Sequence, residues 1–477
     1  MCWCLPAEGW GPVERLREYL LESGYTIDGV RDRLGAVAAG ALAREELVPA
    51  LRATTGGDPA ATLIRLFWLG AAVPAEQVAP EVVASGLARH EEGGQAVRAT
   101  VHLQPWEGDG YLVSDRKVRP GDPALRPDHV VGAGGASANL AQLVSRHPVD
   151  SALDLGTGCG VQVLHLNGRA RRITATDVNP RALELAALSW ALSGVSGVDA
   201  RTGSMFEPVE GETFDLVVSN PPFVISPVGA LTYREAGGDD FCRDLVRQAP
   251  GYLNPDGQAH FLANWLHVEG EDWRERVGGW LGETGCDGWV VQRDVQDPAE
   301  YVELWLKDAA EQGTPGYAEH YDRWLSWFDE RKVEGVGFGW ITLRNSGSLD
   351  PVVRVEQLTH QVELPVGEYV DDVLDAIAAA HRATGLEAAR LRTVEGLLDE
   401  RIAVPGAEDP MKIVLRQTRG LRRSCEVGTV EAALAGVCDG ELALGPLLNV
   451  IAELVGDGEQ LSADALRPLI AEGFFLV

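Results

Sequence analysis

The stretch Asp154-Leu155-Gly156-Thr157-Gly158-Cys159-Gly160 lies between one apolar run, Asp150–Leu155, and another, Val161–Leu166. Its pattern is D-x-G-x-G-x-G. Glycines at alternate positions let the backbone take positive φ and come close to a ligand. The runs on either side read as strand and helix, and the turn between them is where an open α/β sheet holds its ligand. A dinucleotide turn has the spacing G-x-G-x-x-G. Here the spacing is offset and an acid comes first. The turn therefore suits a cationic ligand better than a pyrophosphate. Gly-rich strand-to-helix turns are common, so this one alone decides little beyond the fold class.

Downstream the alternation continues. Ile173–Thr176 is a second strand, with Asp177 at its tip, 23 residues after Asp154. An acid there can accept both hydroxyls of a ribose. Asp177 also precedes Asn179-Pro180, and either Asp177 or Asn179 can cap the helix Pro180–Leu192; the two roles are compatible. Val198–Thr202 is a third strand, followed by Gly203-Ser204-Met205-Phe206. Phe214–Ser219 is a fourth and ends in Asn220-Pro221-Pro222-Phe223. A helix, Asp239–Ala249, and a fifth strand, Gln258–Trp265, come next. This alternation gives a parallel, doubly wound sheet. The two prolines fix φ and remove two donors, which leaves stiff backbone with free carbonyls. Asn220 adds a side-chain acceptor and Phe223 a flat apolar face. Together they suit a planar group carrying an N–H. Taken alone, the tetrapeptide is a Pro-rich turn after a buried strand. With acids at the first two strand tips, it should face the glycine turn across the crevice where the strand order reverses.

A cationic nucleoside ligand without phosphate is S-adenosylmethionine, which carries an ammonium and a sulfonium. The motif order resembles class I S-adenosylmethionine-dependent methyltransferases over roughly residues 130–345. The tetrapeptide is similar to that of their amino- and amide-nitrogen branch. That branch includes HemK-type glutamine N5-methyltransferases of release factors, ribosomal RNA guanine-N2 methyltransferases and DNA adenine-N6 methyltransferases. The resemblance implies a Rossmann-like, seven-stranded core. It implies cofactor contacts from Asp154, Gly156, Thr157, Gly158, Gly160, Asp177, Asn179, Ser204, Met205 and Asn220, and catalytic contacts from Asn220, Pro221, Pro222 and Phe223. Ser204 stands where many members carry an acid for the adenine amine, and its hydroxyl can accept the same bond. Phe223 stands where HemK-type enzymes usually carry Tyr; Phe is more usual in the ribosomal RNA branch. Asn220 and the Pro221 carbonyl would accept the two N–H bonds of a weakly nucleophilic nitrogen, with Phe223 stacked on its plane. Catalysis would be positioning and electrostatics, with no general base required before transfer.

The expected fold class is α/β, with a methyltransferase core between two smaller domains. Residues 1–95 read as helical: Pro12 opens a helix, and Ile27–Ala38, Arg44–Ala53, Ala60–Leu69 and Pro80–Ser85 follow. Residues 96–128 read as a hairpin, Ala96–Gln104 against Tyr111–Ser114, and a Pro- and Asp-rich linker. The core takes 129–345, with a helical insertion at about 296–332 whose tryptophans read as packing. Residues 346–477 read as a small α+β module compatible with a winged-helix form. Its strands are Val352–Leu358, Thr359–Leu364 and Lys412–Gln417. Its basic run Arg416, Arg419, Arg422, Arg423 reads as pairing with the chain's own acids rather than with phosphates.

With 477 residues, 45% of them apolar, the chain can build several proper cores. A net charge of −30 argues against broad binding to nucleic acid or an anionic membrane. There is no apolar run of membrane-spanning length and no leader-like start. Seven scattered cysteines, Cys2 and Cys4 among them, lack zinc spacing and read as reduced thiols, mostly buried. The expectation is a cytoplasmic, metal-free N-methyltransferase acting on a protein glutamine, as in a translation factor. RNA or DNA is the alternative partner, supported by Phe223 and the arginines. A cofactor-binding scaffold is the third reading, and the intact tetrapeptide speaks against it.

Overall fold

The computed structural model describes residues 11–118, 125–222, 224–227, 238–309, 311–406, 409–455 and 462–477. Cys2, Cys4 and Phe223 lie outside the described residues. By contact the chain divides into two compact units. One comprises Met1–Ala138, Val149–Cys242 and Gln296–Val336; the other comprises Asn139–Pro148, Arg243–Val295 and Gly337–Val477.

The first unit opens with α1 (Gly11–Glu22), which buries Val13, Leu16 and Leu20. The hydroxyl of Thr26 accepts the Gly29 N–H at 3.1 Å and starts α2 (Ile27–Ala43), which runs past its expected end and is broken by Gly35 at φ 68°. Then come α3 (Val48–Ala53) and α4 (Pro59–Leu63), the latter capped by Asp58 on the Ala61 N–H. α3 starts at Val48 and not at Arg44, because Pro49 is tolerated only in a first turn. The expected all-helical stretch also holds strands. β1 (Val73–Pro74), α5 (Pro80–Ala84), β2 (Ala88–His90) and β3 (Ala96–Ala99) follow, and the strands form a small sheet in the order β1–β3–β2. Ala96–Gln104 is therefore not one strand. At Thr100 the N–H and hydroxyl both turn back onto the Leu87 carbonyl, at 2.9 and 3.0 Å, and β3 ends. Only β4 (His102–Trp106) pairs with β5 (Gly110–Ser114) as the hairpin.

The core elements are α6 (Gly135–Leu143), β6 (Val149–Leu155), α7 (Val161–Leu166), β7 (Ala170–Asp177), α8 (Pro180–Leu192), β8 (Asp199–Thr202), β9 (Phe214–Ser219), α9 (Asp240–Gln248), β10 (Leu253–Val268), α10 (Trp273–Gly282), β11 (Asp287–Gln296), α11 (Pro298–Asp308), α12 (Tyr317–Glu330) and β12 (Val333–Arg344). In the first unit β9, β6, β7 and β8 lie side by side in that order, all parallel. Ser151–Leu155 of β6 is buried throughout, as a central parallel strand covered on both faces must be. α8 carries the N-terminal elements. Its Leu185, Leu188 and Leu192 share one hydrophobic cluster with Leu16 and Leu20. Its Ser189 Oγ accepts the Val113 N–H and the nearby Ser193 Oγ the Tyr111 N–H, each at 2.9 Å, so the hairpin is fastened to it.

In the second unit the strand order is β13–β11–β12–β10, where β13 is Val353–Gln357. β13 runs parallel to β11, with Gly288 opposite Val353 and Gln292 opposite Gln357. It goes beyond the seven strands expected, and it lies past residue 345, where the core was expected to end. Beyond it are α13 (Val370–Arg382), β14 (Arg392–Thr393), β15 (Leu397–Ile402), β16 (Lys412–Gln417), β17 (Ser424–Val427), α14 (Thr429–Val437), α15 (Leu444–Val455), α16 (Arg467–Ala471) and β18 (Phe475–Leu476). β15, β16 and β17 form an antiparallel sheet, and β14 pairs with β18. Thr359–Leu364 is not a strand. Side chains bond the backbone there: Arg293 donates to the carbonyls of Leu358 and His360, and the His360 ring meets the Leu421 carbonyl at 2.7 Å. The basic run is largely paired: Arg416 with Glu400 at 2.7 Å, Arg419 with Glu395 at 3.5 Å, and buried Arg423 with Glu356 at 2.6 Å.

Candidate active site at the strand tips

Register places the tips of four strands at one level. Asp154 of β6 pairs with Val218 of β9 and with Ala175 of β7, and Asp177 of β7 pairs with Thr202 of β8. Two residues further along, Gly156 leaves β6 where Asn220 leaves β9, with Asp177 at the same height. The Ser219 hydroxyl donates to the Leu155 carbonyl at 2.6 Å and locks the β6 and β9 tips together. Neighbouring strands lie about 4.8 Å apart, so the glycine turn, Asp177 and Asn220 share one rim.

The glycine turn is built by its own backbone. The N–H groups of Gly156 and Thr157 both donate to the Thr176 carbonyl at 2.9 Å. Gly156, Gly158 and Gly160 have φ of 73°, 56° and 85°. A Cβ on Gly156 or Gly158 would meet nothing within 4 Å, so open space lies before them. Gly160 is different: a Cβ there would lie 2.5 Å from Trp190 Nε1, and that indole donates to the Gly160 carbonyl at 2.9 Å. Gly160 thus sets the packing of α8 on the turn.

Two carboxylates flank the turn. Asp154 is 1% exposed, and Thr157 Oγ1 donates to it at 2.6 Å. Burial pushes its carboxyl up to about 7, against the pull of the Thr157 hydroxyl and with a further push from Asp177. Asp177 is half-buried and takes the N–H of Gly158 on one oxygen and of Asn179 on the other, both at 2.9 Å. Burial raises its carboxyl too, and those two N–H groups oppose the rise. Asn179 is the N-cap of α8 through the Arg181 N–H at 3.0 Å. Ser204 is exposed and Met205 half-buried, with Met205 at φ 49°. Pro221 is buried, and Asn220 and Pro222 are half-buried.

Three features were not evident from sequence. Asn220 Nδ2 donates to Ser137 Oγ at 3.3 Å, which leaves the amide oxygen on the opposite edge of the group. The Ser137 carbonyl accepts Nε2 of buried Gln162 at 2.9 Å. In the sequence the place is marked only by the nearby glycines Gly132, Gly134 and Gly135, which name no partner for Ser137. Second, the supposed linker is anchored at Asp115, which takes the Val130 N–H at 2.9 Å and the Arg181 guanidinium at 2.5 Å. Although burial raises that carboxyl, these bonds hold it below the usual range. Third, the helical insertion reaches the chain just past Pro222.

Residues 134–270 match the family described as Methyltransferase small domain, and 22–101 match a domain of unknown function, DUF7059. The release factor glutamine methyltransferase of Geobacter sulfurreducens is 30% identical over 203 residues, covering 38% of this chain and 68% of that protein. This chain belongs to the class I S-adenosylmethionine-dependent methyltransferases, in their amino- and amide-nitrogen branch. The release factor glutamine methyltransferase of Xylella fastidiosa is 36% identical over 130 residues, 24% of this methyltransferase and 45% of that one. The ribosomal RNA small subunit methyltransferase C of Serratia proteamaculans is 28% identical over 165 residues, 34% and 44% of the two chains. This methyltransferase thus spans less than half the length of the latter two relatives.

S-adenosylmethionine is the cofactor, and the residues fit it. Two carboxylates and open glycine backbone form the rim, as a cationic nucleoside requires. Cys159, Cys242, Cys286 and Cys438 are buried thiols outside any disulfide, and Cys425 is a half-buried one. Among the described residues no helix is long and apolar enough to cross a membrane.

Proposed function

We propose that this methyltransferase transfers a methyl group to the side-chain nitrogen of a protein glutamine, on a component of the translation machinery, in the cytoplasm. The observation that carries the reading is the shared rim of Asp154, Asp177 and Asn220 on three adjacent strands. The names of the Geobacter and Xylella relatives point to the glutamine. The pairing of Arg416, Arg419 and Arg423 with acids removes one support for nucleic acid.

Asp154, Gly156, Thr157, Gly158 and Gly160 would hold the amino-acid end of the cofactor. Asp177 and Asn179 would hold its ribose, and Ser204 and Met205 its base. Bound there, S-adenosylmethionine supplies an electrophilic methyl group. Asn220 Oδ1 and the Pro221 carbonyl accept the two N–H bonds of the acceptor nitrogen, which turns its lone pair out of conjugation. Pro222 stiffens the turn, and Phe223 would supply a flat apolar side chain for the acceptor plane. Ser137 holds the Asn220 amide so that oxygen, not nitrogen, faces the acceptor. The proton leaves once the nitrogen has become cationic, so no strong base is needed.

A ribosomal RNA base is the second reading, favoured by Phe223 and the Serratia relative. Labelled S-adenosylmethionine and cell extract separate the two. Label released by protease and resistant to ribonuclease is the expected result, and the reverse would overturn the glutamine assignment. Cofactor binding without any label would leave a scaffold.

A further inference from the structure

The helical insertion ends on the acceptor turn. α11 and α12 pack through Tyr301, Trp324 and Phe328, each no more than 1% exposed. The Tyr301 ring lies edge-on, 6.3 Å from Trp324 and 5.9 Å from Phe328. A buried phenol and a buried indole each need a polar partner. Both find one on the same residue. The Tyr301 hydroxyl accepts the Ile225 N–H at 2.8 Å, and Trp324 Nε1 donates to the Ile225 carbonyl at 3.1 Å. Ile225 is three residues beyond Pro222 and 1% exposed, between Val224 at 3% and Ser226 at 1%. Packing alone would ask only for apolar faces. Here one acceptor and one donor are matched to the two polar groups of a single residue, across sequence separations of 76 and 99.

We propose that Tyr301 and Trp324 are positioning residues: by holding Ile225 they set the direction in which the chain leaves Pro222, and so the aim of the Asn220 amide and the Pro221 carbonyl at the acceptor nitrogen. This rests on the N-methyltransferase reading above. Pro221 and Pro222 fix φ at two of the residues between Asn220 and Ile225, which leaves fewer torsions to absorb a displacement.

Tyr301→Phe removes the acceptor and keeps the ring; Trp324→Phe removes the donor. The full chain is assayed with tritiated S-adenosylmethionine. A purified bacterial release factor, deproteinised small-subunit ribosomal RNA and whole cell extract serve as separate acceptors. Cofactor affinity is read by calorimetry. The expected result is a kcat lowered roughly 10- to 100-fold, the scale of a misplaced reacting group, with KM and cofactor affinity little changed. Tyr321→Phe, which alters a hydroxyl bonded to Glu303 in the same insertion, should keep the wild-type kcat. Wild-type kcat in both variants would overturn the proposal. So would loss of cofactor affinity in step with kcat, which marks a merely structural role. A wild-type protein that binds cofactor and labels none of the acceptors instead sinks the parent reading, and this one with it.

Discussion

Asn220 has one amide and two edges, and the site needs the oxygen edge free for the acceptor. The bond from its Nδ2 to Ser137 Oγ fixes that choice. Asn220→Ala should lower transfer at least about 100-fold, the usual cost of a deleted transition-state contact, with cofactor affinity nearly intact by calorimetry. A large loss of affinity would mean that Asn220 serves the cofactor instead. Ser137→Ala should be milder, roughly 5- to 10-fold in kcat for one hydrogen bond, and Ser137→Thr should restore most of it. Asp154 gives a pH signature. Its carboxyl, raised to about 7 by burial, is mostly neutral at pH 6 and ionised at pH 8. A cationic ligand favours the ionised form, so cofactor affinity should rise with pH across that window, by up to about tenfold. Stability of the free protein runs the other way. Below pH 7 the folded state holds a proton that the unfolded chain has released above pH 4, so folding weakens as pH rises from about 4 to 7. Asp154→Asn should flatten both profiles. An unchanged pH dependence of affinity in that variant would assign the effect to another group.

At the scale of elements, the core was readable because its signals repeat. Helix Pro180–Leu192 was placed to the residue by its Asn-Pro start, and β9 by an apolar run that stops at two prolines. Strands of two to four residues carry too little pattern: β1 and β2 were lost in a helical background, and β3 was merged with β4 into one strand. Thr359–Leu364 looked like a strand because composition cannot show that Arg293 takes the carbonyls of Leu358 and His360 while the His360 ring is held at the Leu421 carbonyl. The rim acids and glycines were legible as motifs. Ser137, Tyr301 and Trp324 were not, since each acts through a partner more than 70 residues away. The α7–α8 packing yields a stability test. Gly160→Ala adds a methyl 2.5 Å from Trp190 Nε1 at a positive φ. Steric overlap and left-handed strain should together cost about 3 kcal/mol in denaturant unfolding. A loss under 1 kcal/mol would mean that α8 shifts freely.

At the scale of the molecule, the open question is where the catalytic core ends. Residue 345 was the expected boundary because the last strand read in the core, Val336–Leu343, ends just before it and the chain changes character from residue 346. In the second unit, however, β13 lies against β11 over five residue pairs. Its Glu356 accepts from Trp289 Nε1 of β11 at 2.6 Å and from Arg423 at 2.6 Å. Arg354, two residues before, reaches both Glu356 and Glu472. The same strand thus belongs to the sheet and grips the C-terminal module. A chain ended after Asn345 loses β13. Trp289, 0% exposed in the whole chain, then has its indole N–H unpaired, a cost of about 1–3 kcal/mol. β11 also becomes a bare edge, open to pairing with other molecules. That truncated chain should melt several degrees lower and aggregate in a concentration-dependent way, as measured by calorimetry and light scattering. A chain ended after Leu358 keeps β13 but leaves Glu356 and Arg354 without the module's Arg423 and Glu472. It should fall between the two. If ending at Asn345 instead gave a monodisperse protein with full cofactor affinity, β13 would be an accessory strand, and the last 132 residues would be a separable domain.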